Sequence, residues 1–443
     1  MNAEVRSVKT HAEQALSEAY QASKAKLPGD RKVVALREAA AARFEAIGLP
    51  NRRVEEWKYT DLRALIGEAK PLAGTPDAAS IARAMTAGHL IGDMDARRVV
   101  FVDGIFVPEL SDLTGLSPGL TIRSMAEALA AGDPLIADRL GKVVPSDSEG
   151  VFALNTALMR DGALIHVAKG ATLERPIHLV FAATSDKPAS VFTRSLVVIE
   201  QGARAMLVES HDASAAHQVN SALELVVGDK AHVDHIKITS GPANLVHVSS
   251  LMVAVGANAR FNDFAFNIGG GVVRNQTFIR FDGEGTLAGL RGASLLKGKQ
   301  HVDSTLVVDH KAGGCQSREV FATVLDDESR GVFQGKIVVR PHAQQTDARM
   351  MTRALLLSDE AEADNKPELE IFADDVQCGH GATSGALDQD LKFYLMARGI
   401  PEVEAEALLV QAFVGEAIEG IEHAGLRDAL MERVVGWLRA RGS

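Results

Sequence analysis

Several residue types that mark particular protein classes are rare in this sequence. Of its 443 residues only two are cysteine, Cys315 and Cys378. Two cysteines are too few for a disulfide framework in a chain of this size, so we expect a reducing compartment and a cytoplasmic protein. No uninterrupted apolar run approaches the roughly 20 residues that a transmembrane helix requires, so we expect no membrane association.

Basic residues are in the minority. Lys and Arg number 47 against 58 Asp and Glu, which gives a formal net charge of -11. Because nucleic-acid binding needs a basic face, we expect no nucleic-acid partner. The phosphate-binding pattern G-x-x-x-x-G-K-[ST] is absent, and the Gly-Lys pairs that begin at residues 141, 298 and 335 lack the following hydroxyl residue. Any ATP hydrolysis connected with this protein must therefore come from a partner.

Tryptophan and tyrosine are also scarce. Both tryptophans and all three tyrosines lie outside residues 160–385, the part of the chain with the texture of β-structure. Sugar-binding grooves are commonly floored by these two residue types, and no obvious carboxylate pair for glycoside hydrolysis stands out. A β-helix carbohydrate-active enzyme is therefore the alternative function and not the preferred one.

Residues 160–385 are predicted to form a repetitive β-structure. Short runs rich in Val, Ile, Leu, Phe and Thr recur there between turns marked by glycines with spacings of 26–32 residues: Gly170, Gly202, Gly228, Gly256 and Gly283. No helix-length amphipathic segment intervenes, which disfavours a doubly wound α/β sheet and leaves a β-sandwich or a β-solenoid. We favour the solenoid, because more than 200 residues of one texture suit stacked coils.

Helical patterns flank this core. Residues 1–96 are predicted to be an N-terminal helical region, in which Asp30 caps a helix. Residues 97–159 form a mixed α/β connecting segment that begins with a hairpin around Asp103-Gly104. Residues 386–443 form a C-terminal helical region whose helices carry apolar stripes.

The segment ADDVQCGHGATSG, residues 373–385, carries the most specific chemistry. In a β-strand, the period of two places Cys378 and His380 on one face, together with Asp374 and Val376. A thiolate beside an imidazole indicates metal or sulfur chemistry. His301 and Asp303 share a face in the same way. Since a structural zinc site needs four ligands and no second cysteine has the required spacing, we predict a site that a partner chain completes. Most of the other histidines are predicted to lie on polar strand faces.

Ordered motifs over nearly the whole chain resemble the SufB/SufD family of iron-sulfur cluster assembly proteins. They are EEWKYT (55–60), VFVDGIFVPELS (100–111), QHVD (300–303), VFQGKIVV (332–339), AQQTDA (343–348), PELEIFADDVQCGHGATSG (367–385) and FYLMARGI (393–400). In SufB chains the segment that corresponds to HGATSG looks more like HEAT, so the resemblance favours the SufD branch. Members often have a serine where this chain has Gly379.

The resemblance implies a right-handed parallel β-helix core at 160–385, flanked by N- and C-terminal helical regions. It further implies a non-catalytic scaffold that pairs with SufB through the β-helix and with the SufC ATPase through residues 386–443. His380, together with Cys378, would ligate a transient iron-sulfur cluster at the SufB interface, and the isolated chain would hold no tightly bound cofactor. The same exposed end would allow the isolated chain to form a homodimer.

Overall fold

Residues 9–144 and 150–441 are described in the computed structural model. Residues 1–8, 145–149 and 442–443 belong to the predicted N-terminal, connecting and C-terminal regions and lie outside the described part. The β-strands of the described residues are β1 Arg97–Val102, β2 Ile105–Phe106, β3 Leu120–Ser124, β4 Ala163–Val167, β5 Ile177–Ala183, β6 Ser190–Ile199, β7 Arg204–Ala213, β8 Gln218–Val227, β9 His232–Ser240, β10 Val246–Val255, β11 Arg260–Asn267, β12 Val272–Phe281, β13 Leu287–Leu296, β14 His301–His310, β15 Gln316–Leu325, β16 Arg330–Val339, β17 Asp347–Leu356, β18 Glu362–Ile371 and β19 Gln377–Gly385.

From β4 onward the strands alternate between two parallel sheets. Sheet A has the order β18-β16-β14-β12-β10-β8-β6-β4-β3, and sheet B has the order β19-β17-β15-β13-β11-β9-β7-β5-β1-β2. Two consecutive strands therefore make one coil, and about eight coils stack into a parallel β-solenoid. The predicted solenoid is confirmed, and the β-sandwich is excluded because successive strands of each sheet run parallel.

The stacking register explains the predicted repeat. Residues in one position of successive coils pair directly and form a column through the solenoid interior, and in sheet A one such column is Val197, Leu225, Val253, Ile279, Val308, Ile337 and Leu369. Most of its members are buried in one continuous apolar cluster. Each coil alone exposes its inner apolar residues, so the core becomes continuous only when coils stack.

Helices cover the outer faces of the two sheets. Within the described residues they are α1 His11–Ser23, α2 Arg31–Ile47, α3 Leu62–Leu65, α4 Ala78–Ala84, α5 Met125–Ala131, α6 Pro134–Arg139, α7 Gly150–Leu158, α8 Gln389–Ala397, α9 Glu402–Ile418 and α10 Ala424–Arg441. The N-terminal helices pack on sheet A through Phe192 and Leu196, whereas α9 and α10 pack on sheet B through Ile236 and Phe264. Helix α8 is an exception, because it packs on α9 and not on a sheet. Among the described helices, none is both long enough and apolar enough to cross a bilayer.

Several local predictions are confirmed. The Asp30 carboxylate accepts hydrogen bonds from the backbone N–H groups of Lys32 and Val33 and thereby caps α2. The turn between β1 and β2 is formed by Asp103 and Gly104, which both have positive φ values of 49° and 79°, as a type I′ hairpin turn requires.

The N-terminal segment is anchored on the outer face of sheet A by a buried ion pair. The guanidinium of Arg274 pairs with the carboxylate of Asp303, and neither side chain is exposed to solvent. The Trp57 ring covers this guanidinium, and the Arg274 Cζ atom lies 3.8 Å from the ring centroid. Thr60 donates a hydrogen bond to Asp303. His301 shares the face with Asp303, as predicted, and its Nε2 lies 2.8 Å from Thr60 Oγ1. The residues that surround His301 and Asp303 therefore come from the same chain and not from a partner. Their contacts attach the N-terminal region to the solenoid.

Candidate functional site

Cys378 and His380 lie on the inner face of the last coil. Both belong to β19, which pairs in parallel with β17 so that Cys378 stacks on Ala348 and His380 stacks on Met350. Ala348 and Met350 are buried members of the interior apolar cluster. Because residues in register point the same way, the thiol and the imidazole share one face, as the spacing predicts, and this face is the solenoid interior.

The two side chains are nevertheless accessible, because no further coil of the described structure covers them. Strands β18 and β19 stand at the ends of sheets A and B. His380 is exposed and Cys378 is half-buried, whereas Met350, one coil earlier, is only 2% exposed. The open end of the solenoid, which we define as β18, β19 and the turn between them, therefore presents a sulfur and an imidazole at an uncovered interior.

The electrostatics of this end keep the thiol protonated at rest. Burial raises the pKa of Cys378, a hydrogen bond with the Ala348 backbone opposes part of this effect, and the negative charge of Asp347 raises the pKa further. Since a thiol must lose its proton to ligate a metal ion, binding at Cys378 would release a proton. No hydrogen bond or ion pair engages the His380 ring among the described residues, so a ring nitrogen is free to coordinate.

The turn before β19 differs from the prediction. The strand begins at Gln377, so Asp374 and Val376 lie in the turn that follows β18. Val376 still packs against the interior apolar cluster, as Cys378 does, whereas Asp374 is exposed. Backbone pairing explains the turn, because the N–H of Asp375 donates to the side chain of Gln344 and its carbonyl accepts from Gln345. These bonds fix a turn where alternation alone predicts a strand.

Sequence reasoning missed the titratable residues of the interior. The column that ends at His380 passes through Leu290, Glu319 and Met350. Glu319 is completely buried, and this burial raises the pKa of its carboxyl to about 8. The repeat length is the signal that finds this residue, because counting back one coil at a time from His380 reaches Met350 and then Glu319.

A second buried group occupies earlier coils. His235 lies between Glu209 and Asp263, at 3.2 Å and 2.7 Å, and all three side chains point inward. Burial lowers the pKa of His235, but the hydrogen bonds to the two carboxylates outweigh it and raise the pKa to about 9. The prediction that the histidines of this region lie on polar strand faces is therefore wrong for His235. It is also wrong for His211, which is buried against Phe181.

Comparison with known proteins agrees with this architecture. Residues 10–179 match the SufBD protein N-terminal region, and residues 181–413 match the SufBD core domain of the SUF system for FeS cluster assembly. An iron-sulfur cluster assembly SufBD family protein of Synechocystis is 32% identical over 419 residues, which cover 91% of each chain. The iron-sulfur cluster assembly protein SufD of Escherichia coli is 31% identical over 396 residues, 87% of this chain and 89% of that protein. SufD of Bacillus subtilis is 26% identical over 292 residues, 65% and 67% of the two chains.

The fold and these matches define the class: a two-sheet β-solenoid protein of iron-sulfur cluster assembly. The chain belongs to the SufB/SufD family, and within it the chain is a homologue of SufD. This membership favours cluster assembly over the carbohydrate-active alternative that the sequence left open.

Proposed function

We propose that this protein is the scaffold subunit that pairs with a SufB subunit and holds part of a nascent iron-sulfur cluster at their junction. The observation that supports this most directly is the position of Cys378 and His380, which face inward on the last coil without any coil to cover them. One thiolate and one imidazole are ordinary ligands for such a cluster, but they are too few to hold it. The partner subunit supplies the remaining ligands, and the cluster is transient cargo.

The open end also offers the backbone groups that a partner solenoid needs. The outer edges of β18 and β19 have no neighbouring strand within the described structure. Unpaired strand edges are templates for pairing with another chain. Pro367 within β18 fits an edge position, since a proline lacks the N–H that a central strand donates. A second copy of this chain would use the same edges, so the isolated protein forms a homodimer when SufB is absent.

The C-terminal helices supply a separate surface for the SufC ATPase. On α8 the side chains of Leu391, Phe393 and Tyr394 are 51%, 72% and 54% exposed, and Val403 at the start of α9 is 74% exposed. Large apolar side chains grouped in this way mark a protein interaction site. The chain itself has no P-loop, so ATP binding and hydrolysis belong to the partner, and this subunit is a non-catalytic cytoplasmic scaffold.

Coupling between the two surfaces follows from their positions in the chain. Helix α8 begins four residues after β19 ends, so a displacement of α8 by the ATPase acts directly on the last coil. ATP binding would then shift the equilibrium between two states of the complex. In one state SufB covers the open end, and in the other the open end is uncovered and the cluster is released.

Replacing His380 with alanine is expected to leave the complex with SufB and SufC intact and to lower its cluster content at least severalfold. The reason is that the substitution removes a ligand from an uncovered surface and leaves the packing of the core unchanged. Anaerobic reconstitution, read by absorption and Mössbauer spectra at equal complex concentration, measures the effect. The matched control is Gly379→Ser, since a side chain at residue 379 meets no atom within 4 Å and points away from the site.

Two outcomes of this experiment separate the alternatives. An unchanged cluster content in His380→Ala, with Gly379→Ser also unchanged, removes His380 from the site. An equal loss of cluster content in both variants would show that β19 tolerates neither substitution. The loss in His380→Ala would then result from damage to the open end and not from a missing ligand.

An aspartate introduced on the α8 surface or at the open end is expected to weaken the binding of one partner only. Phe393→Asp should weaken SufC binding at least tenfold and leave SufB binding unchanged, because a carboxylate at the centre of an apolar contact must be desolvated. Phe372 lies at the open end and is 58% exposed. Phe372→Asp should therefore weaken SufB binding and leave SufC binding unchanged. Pull-down titrations with each partner measure both affinities, and a variant that weakens both bindings equally contradicts the assignment of the surfaces.

A further inference from the structure

A cavity of about 510 Å³ lies between the outer face of sheet B and the turn that joins α9 to α10. Four arginines line it, and they come from three strands and one helix: Arg260, Arg291, Arg318 and Arg427. Its acidic lining residues are Glu419 and Glu422. The lining therefore carries an excess of positive charge in a chain whose formal net charge is -11.

Three of the four arginines already have partners. Arg260 pairs with Glu422 at 2.9 Å, and Arg427 donates to the carbonyl of Ile421 at 2.8 Å. Arg318 donates to the Asp347 carbonyl at 2.8 Å and pairs with the Asp347 carboxylate. These contacts hold the walls of the cavity and neutralise part of its charge.

Arg291 is different, because it has neither an ion pair nor a hydrogen bond within residues 9–144 and 150–441. Its side chain is half-buried, and burial together with the neighbouring charge of Arg260 lowers its pKa. A guanidinium stays charged in spite of such a shift. A partly buried cation without a partner costs free energy that a bound anion would remove.

Two glycines leave the space that the Arg291 side chain occupies. A Cβ atom at Gly420 would lie 2.4–2.6 Å from the Cδ, Nε and Cζ atoms of Arg291, and one at Gly289 would lie 2.9 Å from its Nη1. Any other residue at Gly420 would push the guanidinium aside. The C-terminal end of α9 lies next to Gly420, so its dipole favours a cation there, although no carbonyl group of the described residues accepts a hydrogen bond from Arg291. The unpaired cation thus lies between the sheet and the turn, in space that the two glycines leave open.

We propose that this cavity is a binding site for a small phosphate-type oxyanion, with Arg291 as its principal ligand. The planar guanidinium donates two parallel N–H groups that match the oxygens of a phosphate. Arg427, whose partner is a neutral carbonyl, adds a second positive charge to the lining, and the cavity volume lies within the range of small-molecule sites. Arg291 lies on β13, three strands from β19 in sheet B, and the cavity opens on the outer face whereas Cys378 and His380 face the interior, so the site does not depend on the function proposed for them.

The test measures inorganic phosphate binding to the full chain. Isothermal titration calorimetry and thermal unfolding are carried out at constant ionic strength, with chloride replacing phosphate in the reference. We expect a rise in unfolding temperature that grows with the logarithm of phosphate concentration above the dissociation constant, because phosphate binds the folded state only. Arg291→Met, which keeps the apolar stem and removes the charge, should lower the affinity at least tenfold.

Two further variants separate the site from general electrostatics. Gly420→Ala keeps every charge but displaces Arg291, and it should also weaken phosphate binding at least tenfold. Arg349→Gln removes an arginine from the same outer face, where Arg349 is 63% exposed and pairs with Asp347, and it should bind phosphate like the unchanged protein. No saturable phosphate binding, or equal binding in Arg291→Met and Arg349→Gln, would overturn the proposal.

Discussion

Replacing Asp303 with alanine is expected to lower the free energy of unfolding by about 3–5 kcal/mol, the usual cost of breaking a buried ion pair by removing one partner. The substitution leaves Arg274 charged, fully buried and without its carboxylate beneath Trp57. It also removes the acceptor for Thr60, so the N-terminal segment loses part of its attachment to sheet A. Urea unfolding followed by far-UV circular dichroism measures the loss.

The matched control is a surface ion pair on the same strand. Asp309 also belongs to β14, but it pairs with Arg340 at 2.8 Å where both side chains are partly exposed. Surface pairs contribute about 0–1 kcal/mol, so Asp309→Ala should change the unfolding free energy very little. If the two alanine variants lose similar amounts, the Arg274–Asp303 pair does not anchor the N-terminal segment.

Replacing Glu319 with glutamine is expected to stabilise the protein at neutral pH, by on the order of 2–3 kcal/mol at pH 7. Burial raises the pKa of this carboxyl from its ordinary value of 4.5 to about 8. Between these two values the unfolded chain has released the proton while the folded chain retains it. The carboxyl group therefore lowers stability progressively as the pH rises from about 4.5 to about 8, and a neutral glutamine of the same shape removes this penalty.

The pH dependence is the decisive part of this prediction. The unfolding free energies of the glutamine variant and the unchanged protein should converge near pH 4.5 and separate as the pH approaches 8. Glu328→Gln is the control, because Glu328 is 61% exposed in a turn. A difference between Glu319→Gln and the unchanged protein that stays constant from pH 5 to pH 8 would mean that Glu319 is not held protonated by the fold.

Much of this architecture was predictable because it depends on local patterns. The repeat spacing of 26–32 residues reappears as the offset between paired strands, since one coil of a solenoid closes after a fixed length of chain. The cap at Asp30 was predictable because a side chain that accepts a hydrogen bond from the first turn acts within three residues. The shared face of Cys378 and His380 follows from strand alternation in the same way.

The predictions were wrong where long-range packing decides the outcome. Alternation places His235 on one of two faces but does not say which face points inward, and the buried carboxylates that accept its hydrogen bonds come from neighbouring coils. Asp303 appeared as half of a site for a partner chain, yet it pairs with Arg274 beneath a tryptophan more than 200 residues away in sequence.

The sequence by itself determined the coil length, the strand faces and the helix ends, because each depends on residues that are neighbours along the chain. Only the tertiary structure decided that Glu319 is buried, that His380 in the same column is exposed, and that Arg291 lies between Gly289 and Gly420 with no counter-ion among the described residues. The physical reason is that burial and charge pairing depend on which coils and helices stack on a residue. In a solenoid this stacking ends at the last coil, where the same inward direction leads to solvent.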